Sequence, residues 1–352
     1  MAQCTWHSVP EAYHQEPVTL STYKDGSEQD TTLIFKGQRC IHCTTALNQE
    51  RFDCLDNRAF RFEPSKMESH MAKNAGLVAA SFQAVNRINP TSYGRHSVAS
   101  LATRLGGRPP QGPHNVGDGV IVDIAGSDYI ETALYYRAFE YEIRQQFRTL
   151  LQRGHTVLDV GANVGYYSAL ASKLVTRDGH VYAVEPNPMM LPRLRSTIEL
   201  NQLKNVEVLA VAAGNTTGRA TLFLPTGHSH GEASLREQNW TAASAVDVDL
   251  MPLDSALRLD RLDLVKIDVE GAELSVLQGA VRLLRQYRPA IIVEIVPPFV
   301  RRFGAAATDV LAFVSDLGHY HLWKVGRHRV TRVRATALRE EDIWGNFLCL
   351  PA

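Results

Sequence analysis

Two groups of carboxylates stand where an apolar run gives way to a turn, and they frame the chemistry this chain can do. The first is Asp159, inside Val157-Leu-Asp-Val-Gly-Ala-Asn-Val-Gly165, where the acid is followed by a Gly161-x-Asn163-x-Gly165 turn. Glycines at that spacing let the backbone turn tightly and admit a ligand with no Cβ in the way. Glu185 closes the next β-rich run, and Asn187 stands just beyond it. The second group is Asp268 and Glu270 at the end of Leu262–Asp268, with Glu294 near the end of Ala290–Ile295.

A dinucleotide site calls for Gly-x-Gly-x-x-Gly, whose glycines and helix N-terminus receive a pyrophosphate. Here Asn163 replaces the middle glycine, and Asp159 just before the turn repels phosphate. A carboxylate there suits a cationic ligand such as S-adenosylmethionine (AdoMet), which carries an ammonium and a sulfonium. Glu185 can accept hydrogen bonds from ribose hydroxyls of either cofactor, so it does not separate them. Asp159 does.

Methyl transfer to a weak nucleophile gains from a base beside the cofactor. Asp268 and Glu270 are placed for that role, with Glu294 as the third carboxylate; Lys266 shares a strand face with Asp268. Three converging acids could alternatively hold a divalent metal. Placement at a helix N-terminus is the competing reading for Glu270 and Glu273. His228 and His230, in the polar segment Thr226–Gly231, read as solvated loop histidines. Cys40-Ile-His-Cys43 and Cys54 lack the second close pair that zinc wants, and read as plain thiols. Cys349 reads as core.

The elements that must position these residues begin at Gly119. Thr156–Val160, Val181–Glu185, Val206–Ala213, Leu262–Asp268 and Ala290–Ile295 are strand candidates, nearly continuous in Val, Ile and Leu. Such runs mark parallel strands covered on both faces. Helices are expected over Tyr166–Val175, over Pro188–Asn201 with Asn187 as N-cap, and over Ala272–Arg288. Ala220–Leu224 and Val246–Leu250 read as extra strands, and Tyr320–Val325 with Asn346–Leu350 as a closing pair. The fold class is α/β, a doubly wound sheet. Residues 1–118 read as an N-terminal extension, ending in the breaker-rich Gly106–Pro113, and 119–352 as the catalytic domain.

Composition excludes several classes. The 352 residues hold 37 Lys plus Arg against 37 Asp plus Glu, with no basic excess for a polyanion, so no nucleic-acid partner is expected. No apolar run reaches the roughly 20 residues of a membrane span. The five cysteines are too sparse for a disulfide scaffold, and a cytoplasmic, reducing setting is expected.

Asp159-Val-Gly-Ala-Asn-Val-Gly-Tyr-Tyr-Ser168, Val184-Glu-Pro-Asn-Pro188 and Val265-Lys-Ile-Asp-Val-Glu-Gly-Ala-Glu273 together resemble the FkbM-type family of class I AdoMet-dependent methyltransferases. The resemblance spans about 119 to 351. It implies a Rossmann-like sheet of seven strands with a final antiparallel strand, AdoMet as cofactor, and O-methylation of a hydroxyl on a secondary metabolite or a glycan sugar. On that basis Asp159, Gly161, Asn163 and Gly165 shape the methionine end, and Glu185, with Asn187 beside it, the ribose. Asp268, Glu270 and Glu294 face the acceptor. The alternatives are a non-catalytic scaffold of the same fold and an NAD-dependent oxidoreductase.

Overall fold

The computed structural model describes residues 21–25, 28–32, 79–87, 92–104, 107–125, 129–224, 233–236, 244–327 and 329–352. The chain divides into two compact units, Met1–Lys73 and Asn74–Ala352. In the first, β1 (Ser21–Asp25) and β2 (Glu28–Thr32) pair antiparallel. The second opens with helical residues 79–87 (α1) and α2 (Ser92–Arg104), then the hairpin β3 (Gly112–Gly117) and β4 (Val120–Ile124). Asp118 and Gly119 both take positive φ in its turn, which gives a two-residue hairpin the twist its strands need. Helices α3 (Tyr129–Tyr135) and α4 (Tyr141–Leu150) follow.

Alternation then sets in with β5 (Thr156–Val160), α5 (Tyr166–Val175), β6 (His180–Val184), α6 (Leu191–Leu200) and β7 (Val206–Leu209). Strands β8 (Ala212–Ala213), β9 (Gly218–Leu224) and β10 (Ser244–Met251) form a separate sheet in the order β8-β10-β9. The chain returns through α7 (Leu253–Ala256), β11 (Leu264–Ile267), α8 (Glu273–Gln278), α9 (Val281–Tyr287) and β12 (Ala290–Ile295). It closes with α10 (Pro297–Arg302), α11 (Ala307–Asp316), β13 (Tyr320–Val325), β14 (Val330–Val333) and β15 (Gly345–Pro351).

The main sheet runs β14-β13-β15-β12-β11-β5-β6-β7. Strands β12, β11, β5, β6 and β7 are parallel, and β15 lies antiparallel between β12 and β13. These are the seven expected strands with the antiparallel one last in the chain; β14 extends the sheet at one edge. Both faces are covered. Leu158, Ile291 and Val293 pack with Leu253, Leu283 and Val310, while Val157, Leu264 and Ile292 pack with Phe147, Leu170 and Val122.

Three expectations about elements need correction. The run Val206–Ala213 is not one strand, because β7 and β8 belong to different sheets. The helix after Glu185 starts at Leu191 rather than Pro188, and Met190, not Asn187, is its N-cap. Asn187 instead accepts the Met189 N–H at 2.9 Å through its side chain, and its carbonyl takes the Met190 and Leu191 N–H groups, which holds residues 188–190 in a separate turn. Ala272–Arg288 is broken in two at Gly279, where a Cβ would lie 1.9 Å from the Gly214 carbonyl oxygen. Asp254 then takes the Arg282 and Leu283 N–H groups at 2.7 and 2.9 Å, starting α9 afresh.

Candidate active site

At the end of β5 the chain makes two left-handed steps on glycine, Gly161 at φ +86° and Gly165 at φ +85°. Their neighbours are protein. A Cβ on Gly161 would sit 1.8 Å from the Asp268 carbonyl oxygen, so this glycine lets the turns after β5 and β11 touch. A Cβ on Gly165 would meet Leu194 Cδ1 at 2.6 Å, so this one seats α5 against α6. Between them Asn163 also adopts positive φ, and its N–H donates to Glu185 Oε2 at 2.7 Å.

Glu185 is the hinge of this end. Its other oxygen, Oε1, accepts the Asn187 N–H at 2.8 Å. Burial pushes the carboxyl up to about 7, against the two amides that favour its charge. Each oxygen takes one N–H, and a carboxylate offers about four lone-pair sites, so acceptor capacity remains.

The second group is built by strand periodicity. Asp159 pairs in register with Lys266, Lys266 with Ile292, and Glu294 with Asn346. Side chains two apart share a face, so Asp159, Lys266, Glu294 and Asn346 all project to the face covered by α4 and α5. Lys266 Nζ donates to Asp268 Oδ2 at 2.9 Å and lies 4.8 Å from the centre of the Tyr167 ring. Burial opposes its charge, yet Asp268, Glu140 and Asp159 together hold the ammonium above its ordinary range. Burial likewise works against the charge of Asp268, and Lys266 outweighs it and keeps Asp268 below the usual carboxylate range. Glu294 is driven the other way, up to about 10, first by Asp268 and then by burial. It is protonated at neutral pH and hydrogen-bonded to Asp268. Two neighbouring carboxyls thus share one proton beside one ammonium.

Asp159 itself lies behind this cluster. It is 1% exposed, and its Oδ2 accepts the Ser168 hydroxyl at 2.6 Å. Burial raises its pKa, with Lys266 opposing. Glu273, also buried, accepts the Gly271 N–H at 2.9 Å at the start of α8, and burial pushes it up to about 7.

One cavity of about 400 Å³ gathers most of the expected residues: Gly161, Asn163, Glu185, Asn187, Asp268, Glu270 and Glu294 line it. Asp159 and Gly165 are not among its lining residues; their parts are played from behind the wall. Sequence reasoning passed over Glu140 as a site residue. It is the left-handed N-cap of α4, at φ 36°. Its carboxyl accepts the Tyr167 hydroxyl at 2.8 Å and the Asn346 side-chain amide at 3.0 Å. Burial and the charge of Asp268 raise its pKa. The family resemblance extends over the Glu140/Glu142 segment and Asn346-Phe347-Leu348 but assigns Glu140 no role; period-two reading of Asn346 against Glu294 was a signal for half of that contact. His96 of α2 and Glu142 of α4 also line the cavity.

Among the described residues, no three His, Cys, Asp or Glu side chains are arranged to hold a metal ion. The converging acids are organised around Lys266 instead. Cys40, His42, Cys43, Cys54, His228 and His230 lie outside the described residues. Cys349 is buried in β15 as a free thiol. No helix among the described residues is long and apolar enough to cross a membrane.

Comparison with known proteins bears on this site directly. Residues 159–319 match the sequence profile of the methyltransferase FkbM domain. The methyltransferase sdnD of Sordaria araneosa is 32% identical over 154 residues, which are 35% of this chain and 59% of that protein. The protein-L-isoaspartate O-methyltransferase of Aeropyrum pernix is 44% identical over 64 residues, 18% of this chain and 25% of the relative. The chain therefore spans less than two thirds of the length of these relatives. Among solved structures, the FkbM methyltransferase of Methylobacillus flagellatus KT is 18% identical with a TM-score of 0.38, covering 64% of this chain and 55% of that one.

Proposed function

We propose that this chain, a member of the FkbM-type methyltransferase family through its residues 159–319, uses AdoMet to methylate a hydroxyl group of a small metabolite. The observation that carries the cofactor is the charge of the cavity wall. Its described lining holds six carboxyls, Glu140, Glu142, Glu185, Asp268, Glu270 and Glu294, and a single ammonium, Lys266. That ammonium is already bonded to Asp268. A pyrophosphate would meet acids with no uncommitted cation, whereas a sulfonium and an ammonium would meet complementary charge. A volume near 400 Å³ also suits a ligand of this size.

When bound, AdoMet supplies an electrophilic methyl group on sulfur. Glu185, fixed by the amides of Asn163 and Asn187, accepts the ribose hydroxyls, and the turn from Gly161 to Asn163 walls the methionine end. Asp268 is a weak proton acceptor because Lys266 stabilises its charge, and Glu294 is already protonated. We therefore assign Asp268 and Glu294 to orienting groups by hydrogen bonds rather than to removing a proton. Holding acceptor oxygen, methyl carbon and sulfur in line is the larger part of the catalytic task, about 7–11 kcal/mol in favourable cases.

A hydroxyl acceptor is favoured over a nucleobase amine by the turn after β11, which reads Asp268-Val-Glu-Gly271. An amine-accepting loop would offer a Pro-Pro-Tyr run there, with carbonyls for the amino group. The test is incubation of the protein and methyl-labelled AdoMet with a metabolite extract, followed by mass spectrometry. A labelled methyl ether is expected. Labelled amines in its place would overturn the hydroxyl assignment.

A further inference from the structure

Four of the six carboxyls on the cavity wall are already engaged. Asp268 is stabilised as an anion, Glu294 holds a proton, and Glu140 is occupied by Tyr167 and Asn346. Glu185 is committed to the amides of Asn163 and Asn187. The proton-accepting group belongs elsewhere on the wall.

Helix α2, outside the residues that match the FkbM profile, is bolted onto the site. Asn86 Nδ2 donates to the carbonyls of Arg95 and Tyr136 at 3.0 and 2.8 Å, and Arg95 Nη1 returns a hydrogen bond to the Asn86 carbonyl at 2.5 Å. The Arg95 guanidinium lies 4.7 Å from the centre of the Tyr141 ring. The next residue on each side of that contact, His96 on α2 and Glu142 on α4, lines the cavity. His96 is the one histidine among the described lining residues. Glu142 Oε1 is buried and accepts no hydrogen bond.

Resting on the methyltransferase reading above, we propose that His96 is the general base of the reaction, with Glu142 as the unbonded carboxylate on the same wall whose charge favours the protonated ring. The imidazole takes the hydroxyl proton as the oxygen–methyl bond forms and the sulfur–methyl bond breaks. The bonding pair stays on sulfur, whose positive charge is thereby cancelled. The proton remains on His96 until water collects it, and Glu142 stabilises the imidazolium. Charge around His96 fits the role. Burial, and then Arg327 from the β13–β14 turn, lower its pKa, with Glu142 opposing. The imidazole is therefore neutral and receptive at pH 7.

Three readouts test this. In labelled methyl transfer to extract, His96→Gln is expected to lower the rate about 100-fold or more while affinity for S-adenosylhomocysteine stays within about twofold. Glu142→Gln is expected to lower the rate about tenfold and to move the lower pH limit of the rate downward, because the imidazolium loses its partner. The ring of His96, assigned by its absence in His96→Gln, is expected to titrate below the ordinary histidine value in an NMR pH series on the S-adenosylhomocysteine-saturated protein. Retention of the full rate in His96→Gln, or titration of His96 at or above its ordinary value, would overturn the assignment. Should extract yield no labelled product even with the unmodified protein, the NMR titration alone decides. Failure of S-adenosylhomocysteine to bind the unmodified protein would instead strike the cofactor reading on which this rests.

Discussion

Glu185 is held by the amides of Asn163 and Asn187, twenty-two and two positions away, whereas Glu140 reaches Tyr167 and Asn346 across 27 and 206 positions. The first carboxyl belongs to an end of the cavity made of tight turns and backbone groups, nearly all between β5 and α6. The second belongs to an end assembled from α4, α5, β11, β12 and β15, where side chains answer one another's charge. The contrast teaches where each end is vulnerable. The turn end should fail by steric conflict and lost amide partners, the charged end by unbalanced charge.

The largest effect is expected at the charged end. Lys266→Met leaves Asp268 and its neighbouring acids without their ammonium, and removal of one partner from a buried pair costs about 3–5 kcal/mol. Lys266 is 3% exposed at its side chain, so solvent offers little relief. Chemical denaturation checks this; a loss under about 1 kcal/mol would mean that the acids rearrange or protonate at little cost.

Gly161→Ala should follow, at about 3 kcal/mol, since the added methyl meets the Asp268 carbonyl and the residue is held at positive φ. Gly112→Ala is the control. Its φ is +107° but nothing lies within 4 Å of the new Cβ, so only the backbone term of about 1 kcal/mol applies. Equal losses at the two positions would show that crowding between the β5 and β11 turns is unimportant.

Much of the turn end was legible. Acid, glycine spacing and the second acid are all local; at the charged end, period-two alternation placed Lys266 on the face of Asp268. Strand–helix alternation pointed to the doubly wound sheet, and the family resemblance to its final antiparallel strand. What sequence could not give were the partners of the charges. Asp159 reads as a cavity residue because it precedes the turn, but its face of β5 points beneath α5, where Ser168 takes it. Glu140 sits at a left-handed helix start, inside the span of the family resemblance but with no role read for it. His96 belongs to a helix joined to the site by tertiary contacts alone, through Asn86, Arg95, Ala99 and Ala102 against Tyr135, Tyr136, Arg137 and Tyr141. Helix breaks at Gly279 and after Asn187 escaped for a related reason: they answer Gly214 and an Asx turn, not helical periodicity.

Glu185→Gln sharpens the comparison at a smaller scale. The new amide must turn an N–H donor toward the N–H of Asn163 or of Asn187, leaving a buried donor unsatisfied at about 1–3 kcal/mol. Affinity for S-adenosylhomocysteine should fall about tenfold or more by calorimetry. Unchanged affinity would remove Glu185 from the binding end.

The smallest effect concerns pH. Glu273 is raised from its ordinary 4.5 to about 7 in the folded chain. An acid with a raised folded pKa binds more protons when folded, so its contribution to stability is full below about 4.5 and is lost as pH rises toward 7. Glu273→Gln keeps an acceptor for the Gly271 N–H and removes the titration. The variant should show a flatter decline in unfolding free energy between pH 5 and 7; an unaltered slope would place the linkage on other groups.

The claim beneath all of this is that an acid-lined cavity takes a positively charged methyl donor. Calorimetric titration of the full chain with AdoMet and, separately, with NAD at the same concentrations tests it most directly. Saturable one-to-one binding of AdoMet with no heat from NAD is the expected result. Saturable binding of NAD, with AdoMet silent, would contradict it.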